Sequence, residues 1–198
     1  ILPSPKDALH KAWLYRVLMA MYDNLTIAGA FAFKGGTCAA MLGWLDRFSV
    51  DLDFDFTGKQ SDMDTMRKHM EIVFGRLGLT IKDASKNVPQ YFLKYPAKPD
   101  ERNTLKIDVT FPPPEANSYA LFRLREIDRI VLCQTKETMM ANKLVALVDR
   151  YEKTHAVAGR DLYDIHHFFL QGFRYNEKVI QERTGKEPKY FFKDLHTF

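Results

Sequence analysis

A chain of 198 residues, 46% hydrophobic and 13% aromatic, carries enough apolar surface for one domain, or one domain with a small helical appendage. That composition excludes an intrinsically disordered chain, and no apolar run approaches the roughly 20 residues of a membrane span. A net charge of +4 permits a nucleic-acid partner without arguing for one.

Cys38 and Cys133 stand in apolar surroundings without metal-ligand spacing, so they read as reduced core residues in a reducing compartment. The first residues lack the charged-then-apolar layout of a signal peptide, and the expected location is cytoplasmic. The first element is a helix. Ser4 is placed to cap it, Pro5 suits its first position, Asp7 favours its first turn, and the apolar stripe Leu9, Ala12, Trp13, Val17, Ala20 and Met21 runs toward Asp23-Asn24. Ile27 to Phe33 then reads as a short apolar strand running into Gly35-Gly36, and Thr37 to Leu45 as a helix.

From Ser49 to Phe56 the period is two, which predicts a strand. Ser49, Asp51, Asp53 and Asp55 share one face, while Val50, Leu52, Phe54 and Phe56 share the other. Ser61 to Asp64 resembles a capping box for a helix with the stripe Met63, Met66, Met70, Val73, Phe74 and Leu77, closed by Gly78. The period returns to two for strands at Leu79–Lys82, Gln90–Tyr95 and Leu105–Thr110, and Pro112-Pro113-Pro114 stops the last of them. Glu115 to Ser118 is a surface loop, and Leu121 to Leu132 shows no clear period. Thr135 caps a long helix from Lys136 to about Lys153. Another helix starts at Gly159-Arg160-Asp161, with Leu162, Ile165, Phe168, Phe169 and Leu170 as its apolar residues. A last one runs from Asn176 to Thr184, stopped by Gly185. The Pro188 to Phe198 tail is aromatic and basic. The expected class is α/β (α+β): a mixed sheet flanked by helices over residues 1–118, then a mainly helical part over 119–198 that completes the active site.

The chemistry converges on the aspartate strand. Like charges on one face repel, and a divalent metal bound by oxygen ligands resolves the repulsion. Gly35-Gly36 lets the backbone approach a ligand closely at the start of a helix, where phosphate is favoured. Asp108, flanked by Ile107 and Val109, supplies a third carboxylate from another strand. Asp51, Asp53 and Asp108 can together hold two magnesium ions, activating a hydroxyl while neutralising the pyrophosphate leaving from a nucleoside triphosphate. Asp55 belongs at the open end of the strand rather than beside the metal, because i to i+4 spans about 13 Å.

Gly35-Gly36-Thr37, followed by Arg47-Phe48-Ser49-Val50-Asp51-Leu52-Asp53-Phe54, resembles the signature of the AbiEii/AbiGii toxin family. The resemblance continues in Asn142-Lys143-Leu144-Val145-Ala146-Leu147 and in Arg160-Asp161-Leu162-Tyr163-Asp164-Ile165. These are nucleotidyltransferase-like toxins of type IV toxin–antitoxin and phage-abortive systems, within the minimal nucleotidyltransferases typified by DNA polymerase beta. The resemblance implies the nucleotidyltransferase fold, NTP and Mg2+ as ligands, transfer of a nucleotide with the 3′ end of tRNA as acceptor, and a cognate antitoxin protein as partner. It also implies that Gly35, Gly36, Thr37 and Ser49 hold the triphosphate, that Asp51 and Asp53 bind metal, that Lys143 contacts phosphate, and that Asp161 is a further essential acid. Lys34 and Asp55 extend the charged cluster beyond the family pattern.

Simpler readings stand beside these. Asp51 and Asp53 can be a solvated strand face, and Asp108 an exposed acid on an edge strand. Arg47 serves equally as a cation at a helix C-terminus or as a phosphate ligand. Lys143 can be merely solvated, Arg160, Asp161 and Asp164 an ordinary charged first turn, and Arg123, Arg125 and Arg129 a solvated face or an RNA-steering one. The rival functions are nucleotide transfer onto a protein side chain and NTP binding without turnover.

Overall fold

The computed structural model describes residues 5–99 and 101–195, which form two compact units. Residues 1–113 and 121–133 make the first, and residues 114–120 and 134–198 the second. Among the described residues there are seven strands and eight helices, so the mixed α/β class expected from the sequence is the one observed.

In the first unit the helices are α1 (Pro5–Tyr22), α2 (Leu25–Ala28), α3 (Gly35–Met41) and α4 (Met63–Arg76). The strands are β1 (Phe31–Lys34), β2 (Asp51–Phe56), β3 (Thr80–Ala84), β4 (Tyr91–Lys94), β5 (Thr104–Thr110), β6 (Tyr119–Leu124) and β7 (Arg129–Gln134). They form one sheet in the order β3, β4, β5, β2, β1, β7, β6. β2 runs antiparallel to β1 and parallel to β5, while β4 runs antiparallel to both β3 and β5.

The sheet is two-faced because its central strands alternate strictly. Phe31 pairs with Phe56 and Phe33 with Phe54, and all four rings are fully buried. Leu105, Ile107 and Val109 of β5 are likewise buried, and Met66, Met70, Val73 and Phe74 supply the buried stripe of α4. On the opposite face the same register lines up Asp51 with Lys106, Asp53 with Lys34 and Asp108, and Asp55 with Thr110.

Several expectations are corrected. Ile27 and Ala28 belong to α2 rather than to a strand, because the Asn24 side chain accepts from the Thr26 and Ile27 amides and caps a helical turn. The box at Ser61 to Asp64 does not form; a 3-10 turn over Gln60–Asp62 leads into α4, and Asp62 at the cap makes no side-chain bond to it. The unpatterned stretch from Leu121 to Leu132 supplies β6 and β7, which join the sheet rather than the helical part. Its alternation is masked because Leu121 and Ile130 point outward, 69% and 68% exposed. The expected Ser4 cap lies outside the described residues.

The second unit contains α5 (Lys136–Thr154), α6 (Gly159–Leu170), α7 (Glu177–Thr184) and α8 (Pro188–Leu195). α5 packs against α6 and α7. Its cap is the predicted one: Thr135 Oγ1 accepts from the Thr138 amide. Asn176 caps α7, and Gly185 ends it with a φ of 68°. A carboxylate clip ties α7 to the preceding segment, with Glu182 accepting from the backbone N–H of Glu115 and of Ala116 at 2.8 Å each. Of the apolar residues expected on α6 only Phe168 is fully buried; Leu162, Phe169 and Leu170 are exposed. No described helix is long and apolar enough to cross a membrane.

Candidate active site

The site is built where β1 turns sharply into α3. Gly35 takes a φ of +77°, a region L side chains avoid, and a Cβ there would fall on the Asp53 carboxylate. At Gly36 a Cβ would come within 2.8 Å of Ser49 Oγ and 3.0 Å of Arg47 Nη2. The two glycines thus let the turn lie directly beneath an acid on one side, and beneath a guanidinium and a hydroxyl on the other. This brings Gly35, Gly36, Arg47, Ser49 and Asp53 together as the sequence predicts. A recess of about 200 Å³ adjoins them, lined in part by Lys11, Tyr15, Thr37, Arg47, Phe48 and Ser49.

Thr37 is placed differently from its expected role. Its hydroxyl donates to the Asp51 carbonyl at 2.6 Å and is buried, so the side chain fastens α3 to the aspartate strand. A second fastener was not singled out from the sequence. His10 on α1 is buried between Tyr95 and Val50, with Nδ1 2.7 Å from the Tyr95 hydroxyl and Nε2 2.8 Å from the Val50 carbonyl. A carbonyl only accepts, so Nε2 carries the proton and Nδ1 accepts from Tyr95. Burial holds the His10 pKa below its ordinary value, which keeps the ring neutral. Together Thr37 and His10 hold the backbone on both sides of the Val50–Asp51 peptide bond. A lone histidine on an otherwise apolar stripe was the only sequence signal for the second.

Asp51 and Asp53 are half-buried on β2, and Asp108 stands directly beside Asp53 on β5. Adjacent strands lie about 4.8 Å apart, so the two acids are close neighbours, as the third-ligand reading requires. Asp108 is not an exposed edge acid: β5 is an interior strand, with β4 beyond it. Lys106 Nζ is 2.5 Å from Asp108 Oδ2, and Gln90 donates Nε2 to Oδ1. Burial opposes the Lys106 charge, but Asp108, with Asp51 and Asp53 behind it, outweighs burial and raises its pKa. Asp55 corrects the expectation of an open strand end. It is completely buried and pairs with Lys34 at 2.6 Å, while the same ammonium donates to Thr110 at 2.6 Å.

Among the described residues no group of three or more His, Cys, Asp or Glu side chains is gathered tightly enough to hold a metal ion. The reason is visible in the side chains. Asp53 is folded against the Gly35 turn, and both Asp108 oxygens are engaged by Gln90 and Lys106. The donor chemistry nonetheless fits magnesium: hard carboxylate oxygens share one face, their backbone positions are locked by register, and a lysine ammonium already rests among them as a stand-in cation.

Lys143 and Asp161 lie in the second unit. Lys143 Nζ on α5 is 3.0 Å from Asp161 Oδ1 and 2.9 Å from Asp164 Oδ2, both acids being buried on α6. Arg150 Nη1 is 2.9 Å from the other Asp161 oxygen, though not aligned as a hydrogen bond. Lys143 is therefore more than a solvated lysine, and the two acids more than an ordinary first turn. Of the dispersed arginines, Arg123 pairs with Asp128 and Arg129 with Asp23.

Solved structures share this sheet and its flanking helices. A Helicobacter pylori protein assigned as a nucleotidyltransferase is 22% identical with a TM-score of 0.58, covering 98% of this chain and 80% of its own. The antibiotic-resistance factor ANT(2'')-Ia is 16% identical with a TM-score of 0.56, covering 96% of this chain and 98% of its own. MenT4, a nucleotidyltransferase toxin from Mycobacterium tuberculosis H37Rv, is 19% identical with a TM-score of 0.62, covering 89% of this chain and 62% of its own. At these identities the likeness is one of fold. No curated protein sequence matches the chain significantly. The family model of the nucleotidyl transferase AbiEii toxin, type IV toxin–antitoxin system, matches residues 16–194. The chain belongs to that family and is a nucleotidyltransferase.

Proposed function

We propose that this enzyme moves NMP from a magnesium-bound NTP to the 3′-terminal hydroxyl of tRNA, and that it acts in the cytoplasm as a toxin restrained by a cognate antitoxin. The observation that carries the catalytic part is the register: Asp53 sits directly beside Asp108, and the Gly35–Gly36 turn lies between Asp53 on one side and Arg47 with Ser49 on the other.

In this reading Arg47 and Ser49 hold the polyphosphate beside Gly36, where the missing side chain lets both pack directly against the turn. Asp51 and Asp53 hold the metal with Asp108. Magnesium, when bound, would polarise the phosphoryl oxygens and lower the pKa of the acceptor hydroxyl. The acceptor oxygen bonds to the α-phosphorus, the bond to the β-phosphate oxygen breaks, and pyrophosphate leaves. The hydroxyl proton passes to the carboxylate face, and Asp108 assists its removal. Thr37 and His10 contribute by immobilising the backbone that carries Asp51, so the carboxylates need little reorganisation. Lys143 and Asp161 support the reading through the family motif, and their mutual ion pair is the form in which the second unit holds them.

The test is incubation with each labelled NTP, magnesium, total tRNA and cell lysate. Label on tRNA that disappears with Asp51→Ala supports the proposal. Label on protein replaces the acceptor, and NTP binding without transfer removes the catalytic reading.

A further inference from the structure

Asp108 is held at both oxygens by donors from two directions. Lys106 comes from the same strand and face two residues earlier, while Gln90 comes from the segment entering β4 and also reaches the Val109 carbonyl at 3.4 Å. Across the ladder Lys106 stands opposite Asp51, and Asp108 opposite Asp53. The lysine is about a third exposed, with side-chain accessibility of 36%, so it has access to water. Its ammonium instead lies against the acid that a divalent ion would need.

We infer that Gln90 and Lys106 form a clasp that sets the divalent-ion affinity of the Asp51, Asp53 and Asp108 face, because an ion gains Asp108 only by displacing the lysine. This rests on the nucleotidyltransferase reading, in which that face carries the metal. The ammonium is a tethered cation that has already given up its freedom of translation, so it competes at high local concentration. An arriving ion must break a charge-assisted hydrogen bond, and it leaves a like charge beside it on the same strand. Gln90 reinforces the clasp by holding the other oxygen of the same carboxylate.

The experiment measures Mn2+ binding to the purified full chain by the loss of the free-ion paramagnetic resonance signal, with no nucleotide present. Lys106→Met is expected to bind Mn2+ about tenfold more tightly than the wild type, the scale on which neighbouring groups tune a metal site. Gln90→Leu is expected to tighten it less, and Lys106→Arg, which keeps a cation on Asp108, to leave it near the wild-type value. Equal or weaker binding by Lys106→Met with a wild-type circular dichroism spectrum overturns the clasp. If Lys106→Met does not fold, unchanged binding by Gln90→Leu overturns it instead. Asp51→Asn separates the two levels. Wild-type Mn2+ binding that Asp51→Asn abolishes, but that Lys106→Met leaves unchanged, removes the clasp and keeps the metal reading. Binding that ignores Asp51→Asn, or no binding by any variant, removes both.

Discussion

The carboxylate face of β2 and β5 is half open to solvent and sets three acids beside one lysine, whereas the cluster joining α5 and α6 buries two acids and matches them with two bases. A buried group must be neutralised within the fold, because desolvation penalises every unpaired charge. A half-solvated face can carry an excess of one sign, since water screens part of the repulsion and a ligand can relieve the rest. In the proposed reading the first arrangement offers its excess charge to a cation. The second pairs Asp161 and Asp164 of α6 with Lys143 and Arg150 of α5. Asp55, with Lys34 and Thr110, shows the same division inside one strand: the aspartate that is fully buried is the one given its own lysine beneath the site.

Separating activity from stability is the sharpest way to test that contrast. Asp51→Asn and Asp53→Asn should lower transfer on the order of a thousandfold, several kcal/mol of lost charge stabilisation, while the melting temperature barely moves. Labelled-NTP turnover and calorimetry on the same preparations measure the two quantities. Asp164→Ala should do the reverse, costing roughly 1.5–3 kcal/mol in urea denaturation because it removes a buried partner of Lys143, which keeps Asp161. An Asp164→Ala protein of wild-type stability but no activity would break the comparison and move that cluster into the chemistry.

Gly35→Ala stands between the two cases. Its positive φ and the Asp53 carboxylate at the Cβ position predict a stability loss of roughly 1–3 kcal/mol, together with a large fall in turnover. Smallest is the effect at His10. Its pKa is lowered in the folded protein, so the unfolded chain takes up the proton first as the pH falls. The contribution of His10 is therefore complete above its ordinary value of 6.5 and is lost as pH falls from there through the lower folded value. Denaturation midpoints between pH 7 and pH 5 should fall more steeply for the wild type than for His10→Gln, with Asp7, Asp51, Tyr95 and Arg102 as the other charged or titrating groups near the ring. Parallel slopes would show that His10 does not set this dependence.

Much of the site was legible because its residues are clustered in sequence and follow local periods. Two glycines before a helix, aspartates alternating on a strand, and Asp108 between two buried aliphatics announced themselves. Thr135 and Asn176 announced their helices equally well, since a cap acts within three residues. The strands β6 and β7 were hidden because an outer pair with exposed Leu121 and Ile130 lacks clean alternation. Thr37 is ambiguous in the sequence because a hydroxyl at a helix start serves a phosphate or a neighbouring carbonyl equally well. Only the fold brings the Asp51 carbonyl within 2.6 Å of it.

The alternation of β2 and β5 is a local property of the chain, and it decided which residues form a polar face and which form a core. The partner of each charge was decided elsewhere. Asp53 and Asp108 are 55 residues apart in the chain, and the same is true of Asp51 and Lys106. Side-chain direction repeats every two residues, so a one-residue slip would reverse the face of a strand, but a two-residue slip would preserve the face and exchange every neighbour. Hydrophobic pattern alone therefore selects the face. Tertiary packing selects the register, and with it gives Asp55 to Lys34, Asp108 to Lys106 and Gln90, and Asp53 to the glycine turn.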